Sequence, residues 1–170
     1  ALAGGFTPGL HNGHADIVFT ADLLDRATLA RVVELNIPVN CGSMDMLDQL
    51  GAVNPGHPVW LRINPGFGHG HSKKTNTGGE HKHGIWHGDL VRACEKIKSN
   101  SLTLHGLRMH IGSGVDYTHL QEVCGAMLKL VKVVNAQGLD LHAISAGGGL
   151  SVPYQTGEPT IDIAHYFSLW

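Results

Sequence analysis

The sequence predicts an α/β fold, a partial (β/α)8 barrel of the TIM type with about five strand–helix units. Three observations predict it. Short apolar, β-branched segments alternate along the chain with segments whose apolar residues recur at helical spacing. Such alternation demands a parallel sheet covered by helices, because each crossover must return the chain to the same end of the sheet. Polar and glycine-rich segments then stand at the carboxyl ends of several strands, where a barrel collects its binding groups, and not at the single switch point of an open doubly wound sheet.

The first strand is Ile17-Val18-Phe19-Thr20-Ala21, followed by a helix over 25–35 that carries Leu29, Val32 and Val33. Pro38-Val39-Asn40 is the next strand; it leads into Cys41-Gly42-Ser43, where Ser43 caps a short helix carrying Leu47 and Leu50 and closed by Gly51. Residues 58–64 form a third strand, and after a long loop Leu90, Ala93, Cys94 and Ile97 mark a third helix at i, i+3, i+4, i+7. A fourth strand covers 102–111. Thr118-x-x-Gln121 is a capping box ahead of Leu120, Val123, Cys124, Met127, Val131 and Val134. The fifth strand, 141–146, ends in Gly147-Gly148-Gly149.

Both ends look cut. Ala1-Leu2-Ala3 before Gly4-Gly5 resembles the last turn of a helix with its glycine stop. Asp162 caps a helix with Ile163, Tyr166, Phe167 and Trp170, and that pattern is unfinished at Trp170. The expectation is therefore that residues 1–170 are an incomplete barrel domain of a larger protein.

Composition excludes several functions. With 12 basic and 14 acidic side chains and a net charge of −2, the chain has no basic stripe for nucleic acid or an anionic membrane surface. No apolar run approaches the roughly 20 residues that span a bilayer. Cys41, Cys94 and Cys124 lie far apart, with no C-x-x-C pair, so neither a zinc knuckle nor a disulfide framework is indicated and the expected compartment is the reducing cytoplasm.

The 23 glycines and 13 histidines need a cause. Gly147-Gly148-Gly149 at a strand end can offer successive backbone N–H groups to a phosphate, although no helix opens after it as a dinucleotide-binding turn requires. His110-Ile111-Gly112-Ser113-Gly114 sets an imidazole and a hydroxyl among close-approach glycines after the preceding strand, which suits an anion. Together the two segments match the phosphate position common in barrels, where loops after late strands hold that group. The loop from Pro65 to Gly84 holds His69, His71, His81 and His83. It lacks Cys and has only Glu80 as a carboxylate, so no metal ligand is assigned. Long loops of this kind are usually lids or binding loops, and Lys73, Lys74, Thr75 and Asn76 suit an anionic substrate. His11, His14, His57, His105, His119, His142 and His165 are scattered singly and take no role.

The strings Arg62-Ile63-Asn64-Pro65-Gly66-Phe67-Gly68-His69-Gly70-His71-Ser72, Lys74-Thr75-Asn76-Thr77-Gly78-Gly79-Glu80, Met109-His110-Ile111-Gly112-Ser113-Gly114-Val115-Asp116 and Ile144-Ser145-Ala146-Gly147-Gly148-Gly149 together resemble the bacterial diaminopimelate decarboxylases, and the resemblance covers essentially the whole chain. It implies an alanine-racemase-like barrel with a separate C-terminal β domain, pyridoxal 5'-phosphate as cofactor, a homodimer, and production of L-lysine from meso-diaminopimelate. Position by position, it implies that His110 stacks on the cofactor ring, that Ser113 and the amides around Gly148 and Gly149 hold its phosphate, and that Arg62 lies near its phenolic oxygen.

Departures from the family pattern are equally informative. The family's cofactor-bearing lysine sits on an early strand, and none of Lys73, Lys74, Lys82, Lys96, Lys98, Lys129 or Lys132 reads as its equivalent. The family's Glu-Pro-Gly-Arg motif is matched only by the poor decoy Gly157-Glu158-Pro159-Thr160. The chain alone is accordingly expected to be inactive. Two alternatives stay open: a relative acting on another amino acid (an ornithine or arginine decarboxylase, or a racemase), and a non-catalytic histidine-rich metal-binding module built on His69, His71, His81 and His83.

Overall fold

The computed structural model of the chain describes residues 1–70, 76–79, 83–114, 116–158 and 160–170. Its strands are β1 (Phe19–Thr20), β2 (Val39–Cys41), β3 (Pro58–Asn64), β4 (Ile85–Trp86), β5 (Thr103–Arg108) and β6 (Ala143–Ser145). They alternate with α1 (Arg26–Glu34), α2 (Met44–Val53), α3 (Leu90–Ser99), α4 (Tyr117–Ala136) and α5 (Ile163–Ser168). The sheet order is β1-β2-β3-β5-β6, and every one of these pairings is parallel. β4 pairs with β3 at Ile63↔Ile85, beyond the point where β2 stops at Cys41↔Leu61. Sequence periodicity did not anticipate β4, because two residues are too few to show alternation.

One face of the sheet is apolar. Val39, Cys41, Val59, Leu61 and Leu107 are fully buried there under α2, α3 and α4, which contribute Leu47, Leu50, Ala93, Ile97, Leu120 and Met127. The helices start where side-chain oxygens accept their first backbone N–H groups. Asp25 accepts from Thr28 N at 2.7 Å, Ser43 from Met46 N at 3.4 Å and Asp162 from His165 N at 3.0 Å.

Two expected helix ends are corrected. Asp116, and not Thr118, caps α4 by accepting from His119 N at 3.0 Å; the carboxylate starts the helix two residues earlier and leaves Thr118 and Gln121 on the surface. Gly51 does not close α2, which continues to Val53. A Cβ at Gly51 would stand 2.4 Å from the Cβ of Asn100, so this glycine is a packing notch between α2 and the end of α3.

The sheet is curled. Arg108 Nη1 on β5 donates to Thr20 Oγ1 on β1 at 3.0 Å, although β2 and β3 lie between them. Three strand spacings on a flat sheet are about 14 Å, with both side chains standing off the same face, too far for an arginine to bridge. The hydrogen bond closes only across the chord of a barrel wall.

Helix propensity alone says that alanine improves on glycine at any helical position by up to about 1 kcal/mol. Packing separates two of these positions. We expect Gly125→Ala in α4, where a Cβ meets nothing within 4 Å, to stabilise the protein carrying this segment by about 0.4–1 kcal/mol. Gly51→Ala is expected to destabilise it by about 1–3 kcal/mol through overpacking. Urea unfolding of both variants checks the opposite signs.

Candidate functional site

Strand register stacks the residues of the inner face in rows. Thr20, Asn40, Trp60, Gly106 and Ala143 are register partners across five strands, and one step toward the carboxyl ends Arg62, Arg108 and Ser145 form the next row. Gly106 leaves room for the Trp60 ring, since a Cβ there would fall 2.4 Å from the indole. His110 follows two residues after Arg108 and continues the same alternation. Barrel interiors are ordinarily filled by branched apolar side chains. Here the upper rows are polar and cationic.

Four buried side-chain atoms find no hydrogen-bond partner among the described residues: Asn40 Oδ1, Trp60 Nε1, Arg108 Nε and His110 Nδ1. All four belong to this inner face. Buried polar atoms are nearly always satisfied, and each one left without a partner costs about 1–3 kcal/mol. Their gathering on one wall makes that wall the candidate surface for a polar ligand.

The expected phosphate segments meet here. Gly147 has φ +84, and a Cβ on it would stand 2.3 Å from the Met109 carbonyl oxygen and 2.8 Å from the His110 Cβ, so only glycine lets this turn lie against the histidine. Gly114 N donates to the Gly149 carbonyl at 2.9 Å, joining the Ser113 turn to the triple glycine. Ser113 and Gly148 are exposed, and a Cβ on Gly148 meets nothing within 4 Å. His110, Ser113, Gly148 and Gly149 thus sit together on two adjacent turns.

Arg62 belongs to the same wall, its guanidinium donating to Asp22 Oδ1 at 3.3 Å, while His83 Nδ1 lies 2.9 Å from Asp22 Oδ2. Burial, then the charges of Arg108, Arg62 and His83, hold the His110 imidazole below its ordinary pKa and therefore neutral at pH 7. Burial also lowers Arg62, with Asp22 opposing and Arg108 adding to the shift. Two guanidiniums in register against one carboxylate leave an excess of positive charge facing the histidine.

Other candidates sit differently. Asn64, at the end of β3, is occupied with the loop that follows: its Nδ2 donates to the Gly79 carbonyl at 2.6 Å and its Oδ1 accepts from Gly66 N and Gly79 N. Asn76 likewise bonds within the loop, to Gly68 and Gly78. Lys73, Lys74, Thr75, His71, Glu80, His81 and Lys82 lie outside the described residues. A groove of about 620 Å³ runs along the outside of the wall, between Pro65, Phe67 and His87 and the α4 residues Glu122, Ala126 and Lys129. It does not include His110 or the glycine turns, which line an open concave face.

Sequence reading missed Arg108, Asp22 and Thr20, and weighed His83 only as a metal ligand. Arg108 carried a legible signal, standing one alternation before His110 in a predicted strand. The contact between Asp22 and His83 carried none, because 61 positions separate them and only the fold brings them together.

We expect the imidazole shifts to appear as acid sensitivity. His110, His57 and His105 are all held below their ordinary pKa, burial being the first cause in each. The unfolded chain then takes up protons near pH 6.5 before the folded chain does. Stability is complete above about pH 6.5 and is lost as pH falls below it. Melting temperatures measured at pH 7.5 and 5.5 check the sign. Arg108→Met is expected to raise the His110 pKa, read from its imidazole proton shifts.

Comparison with known proteins gives consistent results. The family described as "Pyridoxal-dependent decarboxylase, pyridoxal binding domain" matches residues 8–170. The diaminopimelate decarboxylase of Escherichia coli K12 is 65% identical over 171 aligned residues, covering 100% of this chain and 40% of that protein. That of Streptomyces coelicolor is 62% identical, covering 100% of this chain and 38% of the relative. A crystal structure of diaminopimelate decarboxylase superposes with a TM-score of 0.87 at 63% identity, over 99% of this chain and 39% of that one. The chain therefore spans about 40% of the length of these curated relatives.

Proposed function

The chain belongs to the pyridoxal-dependent decarboxylases, through their pyridoxal-binding domain, and on that premise we propose that the protein carrying it converts meso-2,6-diaminopimelate to L-lysine and carbon dioxide. The substrate assignment rests on the 65% identity to a diaminopimelate decarboxylase over the whole chain. In this reading residues 1–170 are part of a barrel, completed by further strands and a C-terminal β domain, in a cytoplasmic homodimer. The three cysteines are free and buried, and among the described residues no helix is long and apolar enough to cross a membrane.

One observation carries the reading: the unpartnered buried atoms of Asn40, Trp60, Arg108 and His110 share one wall with two guanidiniums and two glycine turns. That wall fits pyridoxal 5'-phosphate, a flat ring with an anionic phosphate and a phenolic oxygen. When bound, the cofactor supplies a ring that takes up the electron pair left as carbon dioxide departs.

The chain's own residues bind and orient. His110, neutral and aromatic, offers a face for the ring. Ser113 and the amides around Gly148 and Gly149 supply donors for the phosphate; charge-assisted bonds of this kind contribute about 1.5–3 kcal/mol each. Arg62, held by Asp22, stands ready for the phenolic oxygen, and Arg108 adds a second positive charge beside it.

The described lysines lie elsewhere. Lys96 pairs with Asp48, Lys98 donates to the Gln137 carbonyl, and Lys129 and Lys132 lie on α4, all outside the barrel wall. We expect the isolated chain, mixed with pyridoxal phosphate and borohydride, to yield no lysine adduct at a unique site by mass spectrometry; a single stoichiometric adduct would contradict the assignment of roles.

The full-length protein is expected to release carbon dioxide from meso-diaminopimelate and not from ornithine or arginine, the reverse result selecting the other decarboxylases. His110→Ala in that protein is expected to weaken cofactor retention at least about tenfold, about 1.4 kcal/mol, measured by cofactor absorbance after dialysis.

A further inference from the structure

We propose that His69, Asp116 and His119 form a site for a divalent transition metal of the zinc class, clamping the loop after β3 to the start of α4. One ligand atom from each of the three residues lies within 4.8 Å of the others. His119 Nδ1 and Asp116 Oδ1 are already 2.6 Å apart, and the His69 ring stacks on the His119 ring with centroids 3.6 Å apart. Ligands sharing one zinc ion at bond lengths of about 2.0–2.1 Å sit about 3.3 Å from one another. The two rings are stacked nearly parallel and their lone pairs lie in the ring planes, so the His69 ring has to swing out of the stack to aim a nitrogen at the ion. His69 and His119 are half-buried and Asp116 is exposed, and none of the three is locked in the core.

The donor set selects the ion. Two imidazoles and a carboxylate suit zinc, nickel or cobalt, whereas calcium and magnesium take oxygen ligands throughout. Three protein ligands leave a coordination position for solvent.

What the ion would join gives the site its consequence. His69 N donates to the Ile111 carbonyl at 3.0 Å, and the same oxygen accepts from Thr77 N at 3.1 Å. Thr77 Oγ1 donates to the His110 carbonyl at 2.8 Å. Asp116 follows two residues after Gly114, whose amide is bonded to Gly149. A metal held by His69, Asp116 and His119 therefore braces the turn carrying His110 and Ser113.

The test is calorimetric titration of zinc chloride into the metal-free, cofactor-loaded full-length protein, repeated with cobalt(II), whose visible absorption intensifies in a low-coordinate nitrogen and oxygen site. We expect one zinc per chain and a rise in melting temperature on adding it. His69→Phe keeps the ring stack and removes the ligand nitrogen, and His119→Gln removes the other. Each is expected to weaken zinc at least about tenfold, since loss even of outer partners of a metal ligand costs 10–100-fold. The pair His11→Gln and His14→Gln is expected to leave binding unchanged. Equal zinc affinity in wild type and His69→Phe, or no binding by wild type, overturns the proposal and leaves the cluster as a helix cap with a stacked ring. Should His119→Gln fail to fold, His69→Phe still decides.

Discussion

The curl of the sheet is the constraint from which the remaining features follow. Parallel strands with a two-residue alternation have two faces, and in this chain α2, α3 and α4 cover the apolar one. The other face turns inward, and the Arg108–Thr20 hydrogen bond spans its chord. Were the sheet flat, Arg62, Arg108 and His110 would stand on an open polar surface and face solvent independently. Curling directs them at a common volume, where burial of His110, helped by the arginine charges, keeps its imidazole neutral.

Placement of charge on this wall has a physical logic. Burial first, and the two neighbouring guanidiniums after it, make the His110 imidazole resist protonation, so its ring stays neutral while the positive charge resides on groups that cannot give it up. Asp22 takes one bond from Arg62 and contacts His83, which orients the arginine without neutralising the whole cluster. A face built in this way favours an anionic, planar ligand over a cation or an apolar one. The family to which the chain belongs binds such a ligand.

Much of this was legible in one dimension. Pro58–Asn64 is the strand that its apolar run predicts, and Asp25, Ser43 and Asp162 cap helices as local chemistry dictates. His110, Ser113 and the triple glycine were legible because strand ends, close-approach glycines and side-chain donors are written in short contiguous strings. Gly51 was misread for a physical reason: near a helix end, glycine as a stop and glycine as a notch for another helix look alike until Asn100 is in place. Thr118 was misread because two cap residues compete within one turn, and the carboxylate that comes first takes the amide of His119.

The sequence by itself determined the local periodicities, the caps, the parallel connectivity and the motifs that carry the family resemblance, all of which depend on neighbours a few residues apart. Only the tertiary structure decided which polar residues share a face: Arg62 with Arg108 by strand register, Asp22 with His83 by contact across 61 positions, and His69 with Asp116 and His119 at the mouth of α4. Those encounters depend on strand stagger and on the curvature of the wall. Both are set by packing of the whole sheet against its helices, which no short stretch of residues encodes.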